Sequence, residues 1–227
     1  MINKMTMHAG LQVEIGKIFR YKNSQKETVV RDVRFHASPG SIIDITGPSG
    51  SGKTSILLAL NRLVPFEGVL CINGTSHSSF EPCRWREAVS FLPARIQPAS
   101  QSIYDFLLFP FSFRVHKHKK IPSREHIISM LNTLACPLPL DQDIREVSLG
   151  QQYRLNFLRI LLLKPSVYLL DEPFANLDPK NVKRVQALLD QERQKGRIII
   201  RGMHTISQYP ADQAFFLGNN IFRKGTG

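Results

Sequence analysis

A chain of 227 residues with 42% hydrophobic and 21% charged residues is long enough to bury a full core, and its ordinary composition excludes a disordered or fibrous class. Thirty lysines and arginines against 18 acids leave a net charge of +12, which points to an anionic partner without separating nucleotide, nucleic acid, acidic protein and anionic membrane surface. No apolar run approaches the 18 or so residues of a membrane span, and Met1 to His8 lacks the apolar core of a signal peptide. Cys71, Cys83 and Cys136 show no metal-ligand spacing, so the expectation is a soluble chain of a reducing compartment with three buried or half-buried thiols.

Behind a loose terminus of residues 1–10, residues 11–19 and 29–35 alternate apolar and polar at period two, which predicts two half-buried antiparallel strands. Tyr21 lies at the rim of that patch, either as a surface tyrosine or as a flat ring on which a purine could stack. Residues 41–46 form a β-branched run and predict a buried strand, and residues 55–64 predict a helix. Between them Gly47, Pro48, Ser49, Gly50, Ser51, Gly52, Lys53 and Thr54 fit the phosphate-cradling loop, two glycines five apart followed by Lys and Ser or Thr. Glycines there let successive backbone N–H groups converge on an anion, and the start of the helix adds its positive dipole end. Lys53 would bridge the β- and γ-phosphates of a triphosphate, and the Thr54 hydroxyl would hold Mg2+.

Residues 68–72 and 88–92 predict short strands. From 94 to 147 the pattern becomes helical, with segments at 102–109 and 124–134 and no strand signal. The basic run at 114–120 sits in this lobe, and its His116 and His118, flanked by lysines, read as a solvated turn or helix face rather than a metal site. Strand and helix alternate again in the last third: helix at 150–163, strand at 166–170, helix at 181–195, strand at 197–200 and a last strand at 213–217. That order predicts an α/β fold with a mainly parallel sheet covered on both faces. Ligands then sit beyond the C-terminal strand ends, where the phosphate loop, the pair Asp171 and Glu172, and His204 all fall. Asp171 would hold the metal and Glu172 would polarise the attacking water as general base.

Three segments carry a resemblance to a known family. Val147 to Arg159, with Ser148, Leu149, Gly150 and Gln151 at its start, resembles the signature of ATP-binding cassette (ABC) ATPases, Val167 to Pro173 the strand with the paired acids, and Ala175 to Asp178 the loop that follows. With the phosphate loop, these motifs run in the family's order over nearly the whole chain. The resemblance implies a P-loop NTPase core of residues 11–93 and 151–227, an antiparallel patch at its start, and a helical lobe of residues 94–150 ending in the signature, all one domain. It implies ATP and Mg2+ as cofactors. Tyr21 is then the aromatic that stacks adenine, residues 47–54 and Ser55 cradle the phosphates, and His204 is the switch histidine beside the γ-phosphate and the catalytic Glu172. Ser148, Gly150 and Gln151 would reach the ATP held by a second copy, and Asp178 would tie the copies together, so that two ATP molecules are sandwiched in a head-to-tail dimer.

Two departures stand out. Leu149 replaces a glycine of the family signature, which would restrict the backbone before the helix. Ala94 replaces the glutamine that contacts Mg2+ and the water, with Gln97 the amide available in its place. One lost hydrogen bond to a charged group, about 1.5–3 kcal/mol, would slow turnover roughly tenfold to a hundredfold.

The implied function is the ATP-hydrolysing subunit of a transporter. It would lie on the cytoplasmic face of the membrane, held there by an integral membrane permease that docks on the helical lobe. Within the family the segment from Ser102 to Phe111 resembles short bacterial ATPases of metal or iron export systems. A regulatory ABC module with weak hydrolysis is the alternative that Ala94 favours. A nucleic-acid-acting ABC protein is disfavoured, because the interval from Thr54 to Ser148 holds no long heptad insertion and the chain carries one cassette only.

Overall fold

The computed structural model describes residues 9–175, 177–204, 209–218 and 221–224. The expected loose terminus falls, up to His8, outside these residues, as does Asn176. Strands β1 (Leu11–Lys22) and β2 (Gln25–Ala37) form a long hairpin, and β4 (Phe66–Ile72) adds to β1 with the two-residue β5 (Thr75–Ser76) at its far side. The core strands are β3 (Ile42–Thr46), β6 (Val89–Leu92), β7 (Val167–Asp171), β8 (Ile198–Met203) and β9 (Gln213–Gly218), all paired in parallel.

A strand absent from the sequence reading, β10 (Ile221–Lys224), joins the two parts, so residues 213–217 are not the last strand. It pairs antiparallel with β9 and touches β2 at Arg31, giving one sheet in the order β5-β4-β1-β2-β10-β9-β3-β8-β7-β6. Phe222 is its anchor, stacked on Phe215 at 4.6 Å and tilted against Phe35 at 6.0 Å. One buried ring per turn of pleat is little signal in four residues, but it seals the seam between the hairpin and the parallel core.

Successive side chains of a strand point to opposite faces, and the two hydrophobic clusters divide accordingly. Val167 and Leu169 of β7 and Ile198 and Ile200 of β8 join the cluster under helix α1 (Lys53–Leu60) and the antiparallel strands. Tyr168 and Leu170, with Ile199, join the cluster under α5 (Leu149–Leu163) and α6 (Pro179–Gln194). Helices α3 (Ile103–Leu108) and α4 (Arg124–Thr133) lie between β6 and α5 and pack on that second cluster through Ile103, Phe106, Leu107, Ile127 and Leu131.

Capping chemistry sets most helix starts. Ser123 caps α4, and Asp178 caps α6 ahead of Pro179 at the first helical position. Ser148 and Gln151 form a reciprocal capping box at α5, whose apolar run ends at Lys164 in a left-handed turn before Pro165. Leu149 lies inside α5 with a right-handed backbone, so this position needs no glycine here. Helix α1 stops at Leu60 instead of Val64: the Asn61 amide turns to donate to the Val89 carbonyl, Arg62 takes a φ of 59°, and Pro65 follows.

Helix α2 (Pro82–Ala88) went unseen in the sequence, being seven residues with one apolar anchor. That anchor, Trp85, is fully buried against Phe80 and His77, and its indole N–H donates to the Leu60 carbonyl at 2.8 Å, satisfying the end of α1. Trp85→Ala is expected to destabilise the protein by about 3–5 kcal/mol, read as a shift of the urea midpoint at unchanged m-value. A shift under about 1 kcal/mol would show that α2 is not anchored there.

Two surface readings are corrected. Cys83 is exposed, because it faces away from the Trp85 side of α2, while Cys71 and Cys136 are buried. His116 is buried rather than solvated: the turns at 109–116 fold over α2, bringing it within 3.9 Å of Glu87, which also meets His118 at 3.0 Å and Lys119 at 3.7 Å. Burial, and then the Lys119 charge, push the His116 pKa down, so the ring is neutral near pH 7. Among the described residues no cluster of metal-ligating side chains occurs, and no helix is long and apolar enough to cross a membrane.

Candidate active site

The C-terminal end of β3 runs into the phosphate loop at Gly47. Its φ is 153°, and a Cβ there would lie 2.2 Å from the Leu217 carbonyl oxygen, so β9 leaves room for glycine only. Gly52 has a φ of 108°, and a Cβ there would meet a Val30 methyl at 2.5 Å. It precedes α1 without offering any side-chain cap, so the first N–H groups of the helix stay available to an anion. Pro48, Ser49 and Gly50 form the exposed crest, and Ser55 is half-buried in the first turn of α1. The Ser51 hydroxyl is buried with no hydrogen-bond partner.

Lys53 is 5% exposed, and its ammonium donates to the carbonyls of Gly47 at 2.7 Å and Pro48 at 2.8 Å. Burial lowers its pKa, and the nearby charges of Glu172 and Asp171 raise it again. The Thr54 hydroxyl donates to Asp171 Oδ2 at 2.8 Å, while Asp171 Oδ1 is buried and unpartnered. Burial pushes the Asp171 pKa up and Glu172 adds to the rise; Thr54, Lys53 and His204 pull it down. A divalent cation fits this arrangement, because it would use the orphaned carboxylate oxygen and the Thr54 hydroxyl and would offset the cost of the buried charge.

Glu172 follows the last residue of β7 in the left-handed region at φ 49°, with its N–H donated to the Gly202 carbonyl at 2.9 Å. The turn swings its carboxylate out of the strand line and against His204, whose Nε2 is 2.6 Å from Oε1. Gly202 makes the close approach of β8 possible: a Cβ there would sit 3.3 Å from Asp171 Oδ1. Glu172, His204, Asp171, Thr54 and the glycine-rich loop thus meet at the C-terminal ends of β3, β7 and β8, where a parallel sheet places its ligands.

The other expected residues stand apart from this group. Tyr21 is 62% exposed near the hairpin tip, three residues beyond Ile18, which pairs with the Val30 that touches Gly52. Ser148 and Gly150 open α5, with Gln151 engaged in the capping box, and no hydrogen bond links them to the phosphate loop among the described residues. Asp178 is exposed; its carboxylate accepts from the backbone N–H of Asn181 at 3.0 Å and from that side chain, which holds its pKa low. Ala94 is half-buried after β6, and Gln97 is exposed in the same loop without a hydrogen bond to Thr54 or Asp171. What the sequence reading missed is a buried Arg201 on β8 paired with Asp44 on β3, inside runs that look apolar.

The ABC transporter family model matches residues 30–175. An osmoprotectant import ATP-binding protein of Salmonella typhimurium is 30% identical over 92% of this chain, which spans 55% of that relative's length. A phosphate import ATP-binding protein of Aeropyrum pernix is 30% identical, over 83% of this chain and 80% of its own. A glutamine transport ATP-binding protein of Bacillus subtilis is 28% identical, over 83% and 80%. Among solved structures, an ATP-binding subunit of an ABC transporter superposes with a TM-score of 0.81 at 20% identity, covering 96% of this chain and 90% of that one. An Atm1-family ABC exporter with ATP bound gives 0.80 at 20% identity, over 96% of this chain and 38% of that one. With the phosphate cradle, the acid pair and the sheet that carries them, these likenesses show that the chain belongs to the ABC transporter family, as one of its ATP-binding, ATP-hydrolysing subunits.

Proposed function

We propose that this chain hydrolyses Mg·ATP at the cleft between β3, β7 and β8 and uses the resulting opening and closing of a dimer to drive a separate membrane permease. The observation that carries the reading is Glu172, turned out of β7 by its left-handed backbone and held at 2.6 Å by His204 beside Asp171 and Thr54. Lys53 and the loop N–H groups bind the triphosphate, Thr54 and Asp171 hold Mg2+, and Tyr21 stacks the adenine. When bound, the metal neutralises charge on the phosphate oxygens. Glu172 takes a proton from water as its oxygen attacks the γ-phosphorus, and His204 keeps that carboxylate aimed; ADP and phosphate leave.

A second copy completes each site with Ser148, Gly150 and Gln151, and Asp178 lies along the seam between copies. The whole is one ABC ATPase domain, with residues 11–93 and 151–227 as nucleotide core and 94–150 as lobe. A groove of about 900 Å3 between α2, α5 and the turns at 109–116 opens on the lobe side, lined by Phe91, Phe113, Leu163, Arg84, Arg86 and Arg159, and offers the permease a place to dock. The subunit then works on the cytoplasmic face of the membrane.

Phosphate release from Mg·ATP at steady state tests the reading, with and without EDTA. Release proportional to protein and lost on chelation is expected. ATP binding with no release would favour the regulatory module, the reading that Ala94 supports.

A further inference from the structure

The middle of the sheet holds an ion pair that the reaction described above does not use. Arg201 is fully buried on β8, and its guanidinium grips Asp44 on β3 with two parallel bonds, Nε to Oδ1 at 2.6 Å and Nη2 to Oδ2 at 2.9 Å. The parallel register sets the two residues directly opposite one another. Nη1 donates to Oε1 of Gln186 on α6 at 3.0 Å, Nη2 also reaches the Tyr209 carbonyl at 3.3 Å, and the Phe174 ring lies 5.7 Å from the guanidinium carbon. Burial pushes the Asp44 pKa up, against the pull of the hydrogen bonds and charge of Arg201. Burying two ions costs more than burying an apolar pair of equal volume, so two strands whose other buried apolar residues are isoleucines have no need of the pair for their own stability.

What the gripped segments share is their place in the chain. Asp44 stands three residues before Gly47 and Arg201 three before His204; Phe174 is two beyond Glu172, and Gln186 is on the helix that Asp178 caps. Between Arg201 and His204, Gly202 lies flush against Asp171 and its carbonyl holds the Glu172 N–H at 2.9 Å. β8 ends at Met203, one residue before His204.

We infer that Arg201, anchored on Asp44, is a positioning residue for hydrolysis: it fixes β8 against the strand that feeds the phosphate loop, so that Gly202 and His204 hold Glu172 in line with a triphosphate seated on Lys53. The inference rests on the hydrolytic reading of Glu172 and His204, and it predicts a loss of turnover without a loss of nucleotide.

The test is the paired substitution Asp44→Val with Arg201→Met, which nearly conserves volume and leaves no uncompensated charge. The expected result is a folded protein whose KM for Mg·ATP stays within about threefold and whose kcat falls at least tenfold. Parent-like kcat in the folded double variant overturns the inference, and so does a rise in KM that accounts for the whole loss, since that marks a site disturbed as a whole. If the double variant fails to fold, Asp44→Asn with Arg201→Gln, which keeps a neutral hydrogen bond across the strands, is read by the same criteria. Glu172→Gln measured alongside separates the two claims. Its inactivity with an unaffected Arg201 pair sinks the positioning role alone, whereas its full activity sinks the hydrolytic reading beneath it.

Discussion

Lys53→Ala is expected to lower ATP affinity, and with it turnover at cellular nucleotide levels, by roughly 10²–10⁴-fold, the loss of two charge-assisted contacts of about 1.5–3 kcal/mol each. The size follows from the surroundings of the ammonium. Lys53 is buried at the start of α1, held by the Gly47 and Pro48 carbonyls, and it is the cation that faces Asp171 and Glu172 across the cleft. Without it a polyphosphate would enter beside two carboxylates with only the loop N–H groups to bind it. The fold should tolerate the change, because alanine is a good helix former and no apolar contact of the core is lost. Titration with a fluorescent ATP analogue, set beside thermal melting, therefore isolates the site: weak binding at an unchanged melting temperature is expected. Parent-like turnover in this variant would refute the assignment of residues 47–54 as the phosphate cradle.

The cradle was legible in the sequence because its geometry is local. Gly47 at φ 153° and Gly52 at φ 108° adopt backbone angles that favour glycine, and a glycine spacing set by the loop's own backbone announces itself without any knowledge of the fold. The acid pair was legible for a related reason: four buried residues of β7 read as one apolar strand, and polar groups at its C-terminal end have few structural uses. What stayed hidden depends on register or on segments far apart in the chain. Asp44 and Arg201 are separated by 157 positions, and nothing in either strand announces the other until β3 and β8 are aligned. His116 lies in a run that reads as solvated charge, and only the folding of the turns at 109–116 over α2 shows that it is buried. β10 is too short for its alternation to count, yet it pairs with β9 and packs Phe222 on Phe215 and Phe35. The departures at Leu149 and Ala94 divide in the same way. A right-handed backbone at Leu149 answers the first, since the serine cap and the helix form without the glycine. At 73% exposure, Leu149 offers its side chain to whatever faces the start of α5.

Glu172→Gln should lower turnover by about 10²–10⁴-fold, the usual worth of a positioned general base, while leaving ATP bound. The amide has the shape of the carboxylate, and its oxygen can still accept from His204 where Oε1 now lies 2.6 Å from Nε2, so the turn at φ 49° need not reorganise. What disappears is the group able to take a proton from water. Binding and hydrolysis thus come apart, and a nucleotide that is held but not split should keep the second copy closed over it. The variant is expected to elute from gel filtration as a dimer in saturating Mg·ATP and as a monomer in ADP. Turnover within tenfold of the parent would remove Glu172 from the base role. A monomer in ATP, with nucleotide demonstrably bound, would mean that Ser148 and Gly150 do not reach across to a partner's triphosphate, since an unsplit ligand contacted by both halves favours the closed pair and hydrolysis no longer removes it.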